Sequence, residues 1–469
     1  MRLSRWLPRV VGLLVGVVVP TASGHAQSLD EVLAKAYATN PQLLAERAKV
    51  RAIDEEVPQA LANWRPKVTA TGEFGSGAFG NNLASNPTDR DQHRDPRSLG
   101  FTVDQPLYRG GRTLAAIGKA ENDVKAARAR LLAVEQTVLQ DAATTFVDVL
   151  RDQAVLDLTV NNEQVLRRHL DATRDRFQVG EITRTDVSQA EARLAKATAD
   201  RIKAEADLAV SRAAYVNVIG EAPGGLVEPT LPSDLPASVT EAVHVAADQA
   251  PAVVAGRYDE AAQSHATEQV RGELLPELSL EGTAKREFDS TGEVSRVDTY
   301  KGLLTLTVPL YQAGGTYSRL RAAKQTLAQR RLTTDLAQRD AIESATQTWQ
   351  LLQAERARIA AFRSQIEADK VALEGVQREA AVGSRTVLDV LDAEQELLDA
   401  QVNLVRARRD EMVDILKLKV ALGQMTARHL GLPVDFYDPD RHYREVRDRW
   451  FGGSSSGEVE PVTDGQPTQ

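Results

Sequence analysis

Val382-Gly383-Ser384-Arg385-Thr386-Val387-Leu388-Asp389-Val390-Leu391-Asp392-Ala393 decides the fold, because Val179-Gly180-Glu181-Ile182-Thr183-Arg184-Thr185-Asp186-Val187 carries the same frame earlier in the chain. The offsets agree at every landmark: 383 − 180, 389 − 186, 423 − 220 and, for the prolines, 309 − 106 all give 203. That spacing is far beyond the roughly 20 to 50 residues of a solenoid repeat, so a domain-sized unit is present twice. Within each stretch, glycine ends one helix and threonine followed three residues later by aspartate starts the next, with the carboxylate at the positive end of the helix dipole.

Outward from these turns the pattern is helical. Residues 113–178 contain no proline and, after Gly118, no glycine; at about 1.5 Å per residue such a helix reaches roughly 100 Å. In the helix 183–220, small or apolar residues fall at Val187, Ala190, Leu194, Ala197, Ala204, Leu208, Ser211, Tyr215 and Val218, interrupted by Arg201. The second copy continues this at Val390, Ala393, Leu397, Ala400, Leu404 and Ala407. Threes and fours in alternation are coiled-coil spacing and impose a left-handed supercoil. The corresponding second-copy helices are 316–381 and 385–422.

Before the long helices each copy alternates as strands do. Val68, Ala70, Gly72 and Phe74, then Leu99, Phe101 and Val103, share one face of hairpin 66–105. Leu278, Leu280, Gly282 and Ala284, then Leu304, Leu306 and Val308, do so in hairpin 276–309. No following helix is placed to cover the apolar face, which suits a transmembrane barrel with polar loops. Four strands cannot close a barrel of eight or more, so several copies must share one. Each copy opens helically, Leu29 to about Ala62 and Val239 to about Leu275, with Asn40-Pro41 placed as a cap and first-turn proline and Ala250-Pro251 at the matching place.

The whole chain divides into a leader (1–26), a first repeat (27–220), an equatorial linker (221–238), a second repeat (239–423), a C-terminal equatorial segment (424–451) and a glycine, serine and acid-rich tail (452–469), expected to be disordered. Arg2, Arg5 and Arg9, a run from Val10 to Val19 and the small residues before Ala26 form a secretory signal; the apolar run is too short to span a bilayer. With 469 residues, a formal charge of −9 and only 5% aromatic residues, the chain suits long packed helices and gives nucleic acid no basic surface. It has no cysteine, hence neither a disulfide nor a lipid-bearing thiol.

No catalytic residue, cofactor site or metal-ligand spacing stands out. Gly75-Ser76-Gly77-Ala78-Phe79-Gly80 has the glycines of a dinucleotide site, but Asn81, Asn82, Asn86 and Pro87 follow where a helix N-terminus is needed, so it reads as a flexible loop. Asp389 and Asp392 lie three apart on one helical face; in a symmetric oligomer they would recur as a carboxylate ring of the kind that lines cation pores. Two solvated acids on an exposed turn are the alternative. Asp392 and Arg385 break the duplication, since their counterparts are Gln189 and Ile182.

With Pro106-Leu107-Tyr108…Gly110-Gly111 and Pro309-Leu310-Tyr311…Gly314-Gly315 at the strand-to-helix joins and Val382 to Ala393 at the turn, the chain resembles the TolC family of outer-membrane channel-tunnels over roughly residues 28–430. The resemblance implies a homotrimer, mainly α with a β contribution, in which a shared twelve-stranded barrel in outer-membrane lipid continues as a periplasmic coiled-coil barrel. It implies a passive exit duct that docks by its helical tips, Val179, Gly180, Val382 and Gly383, onto a periplasmic adaptor and an inner-membrane ABC or RND transporter. Asp389 and Asp392 would be the aperture acids, and Arg385 would close the tip with Asp186 and Thr185. Where the family often adds a tyrosine to that network this chain has Ala380, so closure rests more heavily on the link from Arg385 to Asp186. The missing cysteine favours type I protein secretion over the multidrug efflux branch. A non-channel periplasmic scaffold is the alternative from another class.

Overall fold

The computed structural model describes residues 26–80, 91–230, 234–292 and 294–454. The leader up to residue 25, the loop residues Asn81, Asn82, Asn86 and Pro87, and the tail from residue 455 lie outside the described residues. The first copy runs β1 (Ala26–Gln27), α1 (Leu29–Thr39), α2 (Pro41–Asp54), α3 (Glu56–Leu61), β2 (Lys67–Phe74), β3 (Gly77–Gly80), β4 (Asp91–Arg94), β5 (Arg97–Arg109), α4 (Arg112–Gln178) and α5 (Arg184–Ile219). After β6 (Gly225–Leu226), which pairs parallel with β1, come α6 (Val239–Gln249), α7 (Pro251–Gly272), β7 (Glu277–Phe288), β8 (Arg296–Thr307), α8 (Gly315–Ala381), α9 (Val387–Ala421) and α10 (Pro439–Val446).

The opening helical stretch of each copy is divided at its proline, which takes the first turn of a new helix as expected. Proline has no N–H and pushes the preceding residue out of helical geometry, and both Asn40 (ψ 123°) and Ala250 (ψ 128°) are extended. Asn40 turns the break into a start, its Oδ1 accepting from the N–H of Gln42 (2.9 Å) and Leu43 (3.4 Å).

Four strands form one antiparallel sheet in the order β2-β5-β7-β8, joining the two copies along β5 and β7. Strand register aligns the side chains in rows: Val68, Val103, Gly282 and Gly302 in one, Ala70, Phe101, Ala284 and Tyr300 in the next. This face exposes its apolar side chains, Leu99, Phe101, Leu304 and Leu306 among them. The opposite face carries Thr69, Thr102, Thr283 and Lys301 in one row, and Ser98 Oγ donates to Glu73 Oε2 there (2.9 Å). Strands β2 and β8 each have one unpaired edge in the single chain. Strand β5 continues past the expected end at residue 105 because β7 pairs with it through a bulge between Pro106 and Tyr108, where proline offers no donor. The glycine run at 75–80 is a loop only at Gly75 and Ser76: Gly77–Gly80 pairs with Asp91–Arg94, extending the hairpin beyond the sheet.

Helices α4 and α8 are 67 residues each, roughly 100 Å. Along α5 the buried positions Ala190, Ala197, Ala204, Leu208, Ser211 and Tyr215 form the seam against α4. Arg201, which interrupts it, is matched by buried Glu163 of α4 at 2.7 Å, and Thr198 Oγ1 donates to the same carboxylate. The main apolar core sits where α1, α2, α4, α5 and α9 converge, around Leu43, Leu139, Phe146, Tyr215, Met412 and Met425.

Candidate functional site

At the tip of the first copy, α4 ends at Val179, and Gly180 adopts φ +82°, the left-handed geometry that lets Glu181 N–H return to the Arg176 carbonyl (3.0 Å). Gly383 (φ +81°) does the same after α8, with Ser384 N–H reaching Glu379 O (3.0 Å). Val179 and Val382 project at 73% and 81% exposure, so each tip presents an apolar residue to its surroundings. Thr183 and Asp186 form a reciprocal capping box, as do Thr386 and Asp389; Thr183 and Thr386 each donate both N–H and Oγ1–H to the aspartate Oδ2, at 2.7 to 2.9 Å. The side-chain bond from Thr183 holds the Asp186 carboxyl below the usual carboxylate range, and the backbone N–H of Thr386 does so for Asp389. Thr185 is exposed on the first turn of α5.

Within one chain, the structure does not join Arg385 to Asp186 or Thr185. Arg385 Nε donates to Glu379 Oε2 (2.9 Å) across its own turn, while Asp186 is engaged by Thr183. The first copy has a similar staple with its charges exchanged and its second member shifted by one position: Arg176, the counterpart of Glu379 (379 − 203 = 176), pairs at 3.0 Å with Glu181, the residue before Ile182. Asp392 does have a cross-copy partner, Arg193 of α5, that sequence reasoning missed. Two turns of helix away from the tip, His169 Nε2 lies 2.7 Å from Oε1 of buried Glu394. Between these polar links Leu391 packs against Leu166, Leu170, Ala190 and Ala197. Near the tip, helix α9 of the second copy is therefore pinned to α4 and α5 of the first by the Arg193 and His169 links and an apolar cluster, and farther up Arg409 of α9 meets Asp148 of α4 at 2.7 Å.

The His169 link is pH-dependent. Its hydrogen bond to Glu394 raises the imidazole above its ordinary 6.5. A raised folded value means that the stabilisation is complete below about 6.5 and disappears as pH rises through the higher folded value. Opening of the α9 contact should accordingly become easier on the alkaline side in the parent and lose that dependence in His169→Asn. Spin-label distances between α4 and α9 across pH 6 to 9, a range chosen to bracket the imidazole, would register it; equal slopes for parent and variant would contradict the assignment.

These elements place an apolar sheet face at one end of two long helical pairs and exposed valine turns at the other. Comparison with known proteins agrees with that division. The sequence profile described as "Outer membrane efflux protein" matches residues 32–221 and again 242–424, one match to each copy. The chain belongs to the outer membrane efflux protein family. Outer membrane efflux protein BepC of Brucella suis biovar 1 is 34% identical over 441 residues, covering 94% of this chain and 95% of BepC. Outer membrane protein TolC of Vibrio cholerae is 25% identical, covering 90% and 96%. The crystal structure of the outer membrane protein VceC of Vibrio cholerae superposes with a TM-score of 0.74 at 20% identity over 84% of this chain and 96% of that one, a likeness of fold. This outer membrane efflux protein is thus a TolC-family channel component of the Gram-negative outer membrane with its helices in the periplasm, and the family is one of channels, not enzymes. Membership displaces the soluble-scaffold alternative, and it gives the apolar sheet face its solvent, lipid.

Proposed function

We propose that this efflux-family chain is one third of a passive exit duct. Three copies, pairing the free edge of β8 with that of β2 in the next, would close a twelve-stranded barrel whose polar face lines the lumen. The observation that carries the reading is the four-stranded sheet with an exposed apolar outer face, a threonine and charge-lined inner face and two open edges. The helical pairs continue the duct, and the turns at Val179-Gly180 and Val382-Gly383 dock onto a periplasmic adaptor serving an ABC or RND transporter. Asp389 and Asp392 ring the aperture, and the Arg193 link to Asp392 holds it narrow. An exposed ion pair is worth about 0.2 to 1 kcal/mol, so Arg193→Ser is expected to raise the open population by up to about fivefold. Single-channel recording of that variant tests the step; an unchanged open population would remove Arg193 from the closure.

The cargo proposed first is protein, by type I secretion, because the chain has no cysteine to carry the lipid anchor typical of many drug-efflux ducts. Small-molecule efflux is the second reading, favoured by the name of the relative that is 34% identical over nearly the full length. A gene deletion separates them. Loss of a protein from the culture supernatant with drug resistance intact supports secretion; hypersensitivity with an unchanged supernatant supports efflux.

A further inference from the structure

The segment after α9 climbs beside the first helices toward the sheet. Tyr437 N–H donates to Tyr37 Oη (3.0 Å); His442 Nδ1 lies 3.2 Å from Oδ2 of fully buried Asp54; Arg65 Nη1 donates to the Arg449 carbonyl (2.8 Å). Partners at 37, 54 and 65 thus meet 437, 442 and 449 in order. Tyr443 packs beside Val57, Ala60, Ala120 and Val124, which fixes α10 to the fold. The segment ends at the foot of β2, two residues before Lys67, where the Arg65 guanidinium stacks 4.8 Å above the Trp450 ring.

Trp450 and Phe451 are nonetheless 58% and 88% exposed. Beside them a cleft of about 350 Å³ opens between Pro58, Val446, Arg449 and Phe451. Trp64, also exposed, adjoins them through Arg65, and its carbonyl accepts from Gln105 (2.9 Å), the residue below Val103 on the apolar sheet face. The aromatic pair therefore lies at the lower border of the lipid-facing band, held by one arginine and followed immediately on Arg449. Amphipathic rings with cationic neighbours at such a border are suited to a headgroup layer.

We propose that Trp450 and Phe451 form an interfacial anchor that inserts into the phospholipid headgroup layer around the periplasmic foot of the barrel, with the Arg65 guanidinium beside the lipid phosphates and that of Arg449 folded back onto the carbonyls of Phe451 (3.2 Å) and Ser454 (2.9 Å), which holds the two rings in place. Charge complementarity and continuity with the apolar band select lipid over a second copy of the chain. The anchor rests on the barrel reading, so insertion is verified separately by ion conductance of the same vesicles.

Tryptophan quenching tests it. The chain from Gln27 retains Trp64, Trp349 and Trp450, and Trp349 on α8 serves as a control far from lipid. Full-length protein in phosphatidylethanolamine and phosphatidylglycerol vesicles, with and without phospholipid brominated near the headgroup end of the acyl chain, is compared with Trp450→Phe. Bromolipid should lower the Trp450 component by about half, as expected of a ring at the interface, and aqueous acrylamide should reach it poorly. The Trp64→Phe, Trp349→Phe chain reads Trp450 directly should Trp450→Phe fail to insert. In conducting vesicles, a Trp450 component untouched by bromolipid overturns the anchor: acrylamide access then assigns the ring to water, and shielding assigns it to a neighbouring copy. Absent conductance in every variant and in the parent would instead count against the barrel reading.

Discussion

Gly110→Ala is expected to destabilise the fold by about 2 to 5 kcal/mol, summing about 1 to 2 for a side chain in left-handed geometry and about 1 to 3 for overpacking. Gly110 sits at φ +60°, where β5 becomes α4, and a Cβ there would lie 2.3 Å from the Gly272 carbonyl oxygen and 2.8 Å from Leu275 Cβ. The crossing is reciprocal, since a Cβ on Gly272 would lie 2.5 Å from the Gly110 oxygen. Two backbones pass each other here, one entering the long helices of the first copy and one leaving α7 for the sheet. The second copy provides the control. Its counterpart, Ala313 (110 + 203 = 313), carries a Cβ at φ +50° but is exposed. Positive φ alone is therefore tolerated by alanine; the backbone approach is what alanine at 110 would violate. Thermal unfolding in detergent, together with the amount of protein in the outer-membrane fraction, reads the effect. A change below about 1 kcal/mol would mean that the two strand-to-helix joins can move apart freely.

Phe101→Arg should remove the protein from the membrane where Thr102→Arg should not. Phe101 is 51% exposed in the row Ala70, Phe101, Ala284 and Tyr300, between Leu99 and Val103 on its own strand. The adjoining row toward the loops joins Leu99 to Arg286 and Asp298, and below Phe101 the apolar face continues through Val103, Leu280 with Leu304, and Leu278 with Leu306, so Phe101 lies in the loop-side half of the apolar band. Arginine facing lipid costs roughly 2 to 4 kcal/mol per copy at mid-depth and about 0 to 1 kcal/mol at the interface, so a cost between these, tripled in a trimer, is expected. Thr102 lies one residue away on the opposite face, beside Thr69 and Thr283, where a charge meets water. The readout is the ratio of folded protein in outer membranes to degraded protein. Equal loss for both variants would mean that the two faces share one environment, which a barrel wall excludes.

What could be read from sequence was what local chemistry encodes. Gly180 and Gly383 need positive φ, Thr183 and Thr386 cap helices with Asp186 and Asp389, and two-residue alternation separates Phe101 from Thr102. Each signal spans a few residues, so duplication of the signals disclosed duplication of the unit. Contacts between distant segments left no such trace. Arg201 looked like a flaw in a heptad until Glu163 of the neighbouring helix met it, and Arg193 carried no mark of its pairing with Asp392, 199 residues away. The resemblance implies a link from Arg385 to Asp186, whereas within the single chain the Arg385 guanidinium meets Glu379, one helical turn before the glycine. The strand at Gly77–Gly80 was hidden because glycine carries no side-chain alternation; its pairing with Asp91–Arg94 comes from the backbone. The climb of the C-terminal segment along α2 depends on partners such as Tyr37 and Tyr437, 400 residues apart, which no window of sequence contains.

The most direct test of the exit-duct account is the single-channel current of detergent-purified protein in a planar lipid bilayer under a salt gradient. The account predicts discrete, cation-preferring steps whose selectivity falls when Asp389 and Asp392 are both changed to asparagine, and whose open population rises in Arg193→Ser. Folded protein that inserts through its barrel yet passes no current, or passes it with the same ion preference after both aspartates are neutralised, would contradict it.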